Sequence, residues 1–301
     1  GRIVTTVYTP KRMEVHQMLI KATLEDIKKY GEFAYSLALN PAKSCYPTYA
    51  DGIKTKTDFF KAAEGAIAKE TYELLLFSMD GNIEGWISYY WIPEDKYLQL
   101  YEFNISRGAK QALTELIKTI ETKFAGYTAY FGFPGDNQEA IHFLADHGFQ
   151  CIEQDWNNSF FFDGYTAKEY GDCIEKIFQY NFDKFRRVYH EDPDTYWNAD
   201  RIFERIDDWT IFVYSQADHP VAAVFLTGKN GYYEIYGSAF ADEVFDERVF
   251  RELLTASLSE CKRLNAKYLT YFCGEDEKPI LSELGFKCVG QYVLYIKNYE
   301  I

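Results

Sequence analysis

The heptapeptides GFQCIEQ (residues 148–154) and GFKCVGQ (residues 285–291) lie 137 residues apart and carry identical Gly, Phe, Cys and Gln at matching positions. The same offset relates YELLLFS (72–78) to WTIFVYS (209–215), two apolar runs that both end in Ser. Two pairs of similar segments, repeated in the same order at one spacing, indicate that the chain is a duplication of a single ancestral domain.

Each half reads as a set of strands followed by a helix, a strand, a second helix and a last strand. YLQLYEFNI (97–105) and YYEIYGSAF (232–240) are strand-like and share Tyr at their first and fifth positions. Apolar residues at three-and-four spacing predict helices at 112–124 and 253–264. Lys-, Glu- and aromatic-rich blocks that precede the strands are interpreted as helical, at 11–39, 56–70 and 170–206.

This alternation predicts an α/β protein with a mixed, mostly antiparallel sheet flanked by helices in each half. A length of 301 residues with 47% hydrophobic residues is sufficient for two such cores. We place the boundary near the polar segment 160–172, which gives domains at 1–163 and 164–301.

The net charge of −14 bears on the choice of partners. Acidic residues outnumber basic ones in both halves, so a nucleic acid is not expected as a partner. A small cationic amine would be admitted more easily, although acidity is also a common means of keeping a protein in solution.

The six cysteines form no CxxC pair, which argues against a zinc site and a disulfide framework. We expect them to be reduced core residues, including the repeated Cys151 and Cys288. No apolar run approaches the roughly 18 residues of a membrane span, so we expect a cytoplasmic protein without a membrane partner.

The order of elements, with Asn-x-x-Ala at 137–140 and Gly-Phe at 148–149, resembles the GNAT N-acetyltransferase superfamily. In that family the fourth strand ends in a splayed backbone that takes the pantetheine arm of acetyl-CoA, and the next turn cradles the pyrophosphate at a helix N-terminus. The resemblance implies two tandem GNAT-like domains and an acetyl-CoA site in the first, formed by Phe103, Asn104, Ile105, Arg107, Gly108, Ala109, Lys110 and Asn137. Arg107 and Lys110 are alternatively solvated cations, and Asn137 is alternatively a helix cap.

The second copy is less suited to phosphates. Its turn, within ADEVFDERVFRELL (241–254), contains no glycine and carries four carboxylates, Asp242, Glu243, Asp246 and Glu247. Like charges oppose pyrophosphate there, so we expect the first domain to bind the cofactor and the second to shape the substrate cleft or to be structural.

The resemblance also implies a general base on the fourth strand, where the matching positions are Gln99 and Glu234. Strand alternation would place Glu102 on the face opposite Gln99, as a solvated residue, unless a bulge turns it into the cleft. Glu102 and Glu234 are therefore the candidate catalytic residues. The Tyr that often serves as the family's acid is replaced by Leu144 and Leu281.

We therefore expect an acyl-CoA-dependent N-acetyltransferase that uses no metal and acts on a primary amine of a small molecule. The two leucines and the lost glycines favour an alternative, a catalytically inactive GNAT-like protein that binds a ligand or a partner. An aminoacyl transferase with tandem GNAT-like domains is a third hypothesis, disfavoured because an acidic surface would have to bind RNA.

Overall fold

The computed structural model describes residues 18–45, 49–193 and 195–300. The first half contains β1 (Leu19–Lys21), α1 (Leu24–Ala38), α2 (Lys56–Ile67), β2 (Tyr72–Met79), β3 (Asn82–Ile92), β4 (Tyr97–Ile105), α3 (Ala109–Lys123), β5 (Thr128–Pro134), α4 (Gln138–Asp146) and β6 (Gln150–Phe161). The second half contains β7 (Ile174–Lys176), α5 (Asp183–Val188), α6 (Ala199–Glu204), β8 (Trp209–Gln216), β9 (His219–Lys229), β10 (Tyr232–Phe240), α7 (Glu247–Arg263), β11 (Tyr268–Cys273), α8 (Lys278–Glu283) and β12 (Lys287–Asn298).

The twelve strands of the described residues form one mixed sheet in the order β1-β2-β3-β4-β5-β12-β6-β11-β10-β9-β8-β7. The predicted α/β fold with two copies of one domain is thereby confirmed. The two halves exchange their last strands, since β12 pairs with β5 of the first half and β6 pairs with β11 of the second. Along the centre β6 and β12 pair with each other, so the backbone hydrogen bonds of the sheet are continuous across both halves. The boundary at residue 163 remains a prediction.

Helices cover both faces of this sheet. The first-half core under α3 and α4 and the second-half core under α7 and α8 lie on one face of the sheet. Gln154 of β6 pairs with Val293 of the first-half core, and by strand alternation it shares a face with Phe160 of the second-half core. On the opposite face α1 and α2 pack over the first half, and α5 and α6 pack over the second. We call this the α1/α5 face.

The repeated heptapeptide marks the same structural position in each copy. Gly148 and Gly285 have φ angles of +81° and +100°, which an L side chain rarely adopts, and each follows the last helix of its half. Phe149 and Phe286 then enter the two cores and are buried. The heptapeptide therefore encodes a helix end and the start of the exchanged strand.

Two expectations are corrected. Cys151, Cys173 and Cys288 are exposed, whereas the other three cysteines are buried. The repeated pair occupies the second position of two 12-residue strands, whose first residues extend beyond the core that buries their later residues. The block at 170–206 is not one helical region, since it contains β7 and two six-residue helices. The part of the block at 11–39 before residue 18 lies outside the described residues.

Gly85 allows β3 and β4 to approach beside the predicted site, which leads to a stability prediction. Its φ is +154°, and a Cβ placed there would lie 1.8 Å from the backbone oxygen of Asn104. We expect Gly85→Ala to lower the free energy of unfolding by about 2–4 kcal/mol in urea titrations. Gly81→Ala, at φ +79° with open space around the new Cβ, is the matched control and should cost only about 1 kcal/mol. Equal effects of both substitutions would contradict the contact.

Candidate active site

In each half the fourth and fifth strands of the copy pair briefly and then part. β4 and β5 pair in parallel through Gln99 and Tyr130 and then separate, and β10 and β11 do so after Ile235 and Tyr271. Both upstream strands continue beyond these points, to Ile105 and to Phe240. Each half thus contains a wedge-shaped opening between two strands, here called the first split and the second split.

A bulge turns Glu102 onto the α1/α5 face. Ser88 of β3 faces Glu102 while the next residue, Tyr89, faces Leu100, so that Tyr101 is the extra residue. The bulge reverses the alternation and places Glu102 on the same face as Gln99. Without a bulge, the three-residue spacing would have put the two side chains on opposite faces. Its catalytic role remains a prediction.

The Glu102 carboxyl is buried and held by neighbouring side chains. It is 4% exposed, and its Oε2 accepts hydrogen bonds from Trp86 Nε1 at 2.8 Å and from Asn104 Nδ2 at 3.4 Å. Burial raises the pKa of Glu102 to about 7, against the opposing effects of the Trp86 hydrogen bond and the nearby Lys54. A carboxyl with a pKa near neutrality can exchange a proton with a substrate at physiological pH.

Gln99 and Glu234, the positions that match the family's base, have different surroundings. Gln99 Oε1 accepts hydrogen bonds from the hydroxyls of Tyr90 and Tyr97, both at 2.6 Å. Glu234 lies on the α1/α5 face of β10, and burial raises its pKa to about 7 while Lys54 opposes the shift. The structure thus places Glu102 and Glu234 on one face of the sheet, within the electrostatic reach of the same lysine.

The first-half turn keeps an open helix N-terminus. Gly108 is the N-cap of α3 with φ +78°, and no side chain caps the helix. Lys110 is exposed beside it. Arg107 is half-exposed and paired with Glu84 at 2.8 Å and Asp80 at 3.5 Å, so its charge is partly compensated. The exposed end of α3 therefore fits an anionic group such as a phosphate.

The first split, by contrast, already contains a segment of the chain. The N–H of Ile105 donates to the carbonyl oxygen of Lys43 at 3.0 Å, and Asn137 Nδ2 donates to that of Ser44 at 3.0 Å. Asn137 Oδ1 also caps α4 by accepting from the Ala140 N–H, which is the alternative role expected of it, while its contact with a cofactor arm remains a prediction. The first half consequently fits acetyl-CoA at its phosphate end but not, in this conformation, along its arm.

Of the other predicted cofactor residues, Phe103 and Ala109 are buried in the first-half core. Asn104 turns its side chain away from the split toward Glu102 on the α1/α5 face. Ser44 and Cys45 could not be found from the sequence, because no motif signals them and more than 50 positions separate them from β4. Burial, and next the charge of Glu102, raises the pKa of the Cys45 thiol well above its ordinary value.

The second split opens onto a cavity of about 370 Å³. Four carboxylates line this cavity, Glu243, Glu275, Asp276 and Glu277, together with Ser238 to Phe240 of β10. The N-terminus of α7 is capped by Asp246, whose Oδ1 accepts from the Val249 N–H at 3.1 Å. Negative charge at the cavity and at the helix end makes this half unsuited to a pyrophosphate.

The positions that match the family's acid are closed to chemistry. Leu144 and Leu281 are fully buried in the two cores.

No three His, Cys, Asp or Glu residues in the described ranges are grouped so that they could hold a metal ion. None of the helices described by the structure is long and apolar enough to cross a membrane.

The raised pKa of Glu102 predicts a pH dependence of stability. Its folded pKa of about 7 exceeds the ordinary value of about 4.3, so the folded state keeps a proton that the unfolded chain releases between these values. Its contribution of up to about 4 kcal/mol is present below pH 4.3 and is lost as pH rises through 7. Unfolding in urea at pH 5 and pH 8 should show a smaller pH difference for Glu102→Gln than for the wild type. The exposed Glu64→Gln is the control, and identical pH differences in all three proteins would contradict the assignment.

Neither a family model nor a curated protein sequence matches the chain. Among solved structures it is similar to a GCN5-related N-acetyltransferase from Sphaerobacter thermophilus, with a TM-score of 0.61 and 14% identity over 94% of this chain and 96% of that one. A putative acetyltransferase from Pyrococcus horikoshii has a TM-score of 0.51 and 11% identity over 99% and 94% of the two chains.

A fungal multi-domain β-N-acetylglucosaminidase with a GCN5-related glucosamine N-acetyltransferase region has a TM-score of 0.58 and 10% identity, over 93% of this chain and 38% of that one. At these identities the likeness concerns the fold. Together with the duplicated strand order, it shows that this chain has the GNAT fold, the fold of the GCN5-related N-acetyltransferases, in two tandem copies that share one sheet.

Proposed function

We propose that the protein is an N-acyltransferase that transfers an acetyl group from acetyl-CoA to the primary amine of a small cationic molecule. The observation that carries the proposal is the bulge in β4, which places a buried carboxyl with a pKa of about 7 on the α1/α5 face beside the first split. A fold of this kind supports other functions as well, so the proposal rests on this site and not on the fold alone.

Glu102 acts in this proposal as the general base. Trp86 and Asn104 fix its orientation, and its near-neutral pKa lets it accept a proton from the attacking ammonium group at physiological pH. Acetyl-CoA, when bound, supplies the activated thioester carbonyl. Its phosphates would lie at the N-terminus of α3, near Gly108 and Lys110.

Charge and aromatic rings on the α1/α5 face support a cationic acceptor. Glu153 lies on this face, and its side chain reaches solvent. Partial burial of its carboxyl, and next the charge of Asp155, raise its pKa to about 7. Glu234 contributes to the same negative region. Tyr97 and Tyr130 stack at 4.6 Å on the same face, and such rings attract ammonium groups.

The proposal is tested by following thiol release from acetyl-CoA in the presence of a panel of monoamines, diamines and polyamines. We expect amine-dependent release, with kcat rising with pH through an inflection near 7 that reports Glu102. The same panel with neutral amides is the matched control for substrate charge. Isothermal titration that detects no acetyl-CoA binding at high micromolar protein would contradict the proposal.

The two buried leucines and the filled first split favour a second candidate function, an amine-binding protein without turnover. It predicts heat from the amine panel in calorimetry and no thiol release with any member of it. Detectable release would exclude this alternative.

A further inference from the structure

We propose that Lys43–Cys45 is a tethered occupant of the first split, which closes the site in the free protein and which the acyl donor must displace. This inference rests on the proposed function and adds its regulation. The segment lies in the connection between α1 and α2, so the occupant and the site it closes belong to the same half.

The contacts are those of a ligand bound to a strand edge. The Ser106 N–H donates to the main-chain carbonyl oxygen of Glu84 across the β3–β4 pair. Because main-chain groups alternate along a strand, those of Ile105 face away from β3 and into the split. There its N–H donates to the Lys43 oxygen at 3.0 Å, while Asn137 donates to the Ser44 oxygen from the other side of the split. Two groups that would otherwise bind an extended ligand are therefore satisfied by the chain itself.

Cys45 brings the segment up to the candidate base. Its Sγ donates to the main-chain carbonyl oxygen of Tyr101 at 3.4 Å, and Tyr101 is the bulged residue next to Glu102. Ser44 is 1% exposed and Cys45 is 4% exposed, so this part of the segment is fully inserted. A reactant could not reach Glu102 along the split while the thiol remains there.

The second half shows that the fold itself does not require such an occupant. The Ala241 N–H donates to the main-chain carbonyl oxygen of Val221 across the β9–β10 pair. By the same alternation, the main-chain groups of Ser238 and Phe240 face the second split. There a cavity of about 370 Å³ remains open between this strand edge and residues 274–277, and residues 188–190, at the end of α5, line the cavity without filling it. Within the described part of the chain, the filling of a split by a loop is thus a property of the first copy.

Among the described residues few hydrogen bonds hold the segment in place, and Cys45 also packs in the first-half core, so displacement exchanges these contacts for those of the ligand. Besides the contacts already given, the Lys43 N–H and the Ser44 hydroxyl both donate to the Asn40 oxygen, each at 2.9 Å. Those two bonds form a local turn after α1 and do not depend on insertion. A ligand that satisfies Ile105 and Asn137 therefore replaces the hydrogen bonds that it breaks.

Thiol alkylation of the full-length protein, read by peptide mass spectrometry, tests the inference. Cys45 should react at least about 10-fold more slowly than the exposed Cys151 and Cys288, and saturating acetyl-CoA should raise the rate at Cys45 alone by about 10-fold or more. Rapid reaction of Cys45 in the free protein, or acetyl-CoA binding that leaves its rate unchanged, would overturn the inference.

Affinity measurements on two variants separate this inference from the proposed function. Cys45→Asp places a carboxylate beside Glu102 and should expel the segment, tightening acetyl-CoA binding by about 10-fold or more, whereas the matched Cys45→Ser should bind as the wild type does. Equal affinities in all three proteins would refute the occupant and leave the acyltransferase intact. No binding to any of them, with thermal unfolding showing folded protein, would refute both.

Discussion

A Glu102→Gln variant is expected to transfer acetyl groups at least about 100-fold more slowly than the wild type at saturating amine and acetyl-CoA. Glutamine keeps the volume of the side chain and can still accept the Trp86 hydrogen bond, but it cannot take a proton from the ammonium group. The loss should therefore appear in kcat, with KM for both substrates within a few-fold of the wild type. The inflection near pH 7 should disappear as well.

Glu234→Gln is the matched control, since it removes a second carboxyl with a pKa of about 7 from the same face of the sheet. We expect it to raise KM for cationic amines and to change kcat by less than about 10-fold, because it weakens only the attraction for the substrate. A large fall of kcat in Glu234→Gln with no change in Glu102→Gln would move the catalytic base to the second half.

Gly108→Glu is expected to weaken acetyl-CoA binding by at least about 100-fold. The substitution places a carboxylate at the open N-terminus of α3, where the phosphates of the cofactor are proposed to lie. A Cβ at this position would first meet the flexible end of Met79, so the contact itself can relax. Calorimetric titration with acetyl-CoA measures the effect.

Gly108→Gln carries the same backbone strain at φ +78° and nearly the same side-chain volume without the charge. It should retain most of the affinity, and the difference between the two variants isolates electrostatics from backbone strain. Equal loss in both variants would show that strain, and not charge, governs the effect. Unchanged affinity in Gly108→Glu would exclude the α3 N-terminus as the phosphate site.

Much of the fold is predictable from local sequence, because the features that set it are themselves local. Gly148 and Gly285 are required by positive φ angles, and the buried Phe149 and Phe286 follow them directly. The strand over 97–105 begins and ends where its apolar pattern indicated. A duplicated pattern of this kind specifies the elements of each copy and their order.

The exchange of β6 and β12 could not be predicted in the same way. The two strands carry nearly the same heptapeptide, so either would satisfy the same neighbours, and a local pattern does not specify which copy supplies the partner. The exposure of Cys151 and Cys288 has the same origin, since it depends on where each long strand leaves the core.

The site was only partly predictable for a related reason. The bulge at Tyr101 was required for Glu102 to share a face with Gln99, but the register shift that creates it is a property of the β3–β4 pair and not of β4 alone. The occupation of the first split by Lys43–Cys45 joins residues far apart in sequence through main-chain atoms, which leave no trace in residue type.

A crystal structure of the full-length protein with acetyl-CoA tests the central claim most directly. We predict the phosphates at the N-terminus of α3 beside Gly108, the arm between β4 and β5 with Asn137 donating to it, and Lys43–Cys45 displaced from the first split. Density for the cofactor in the second split, beside Arg248, would contradict the assignment of the working half. Crystals grown at saturating acetyl-CoA that show no cofactor and an unchanged first split would contradict the acyltransferase itself.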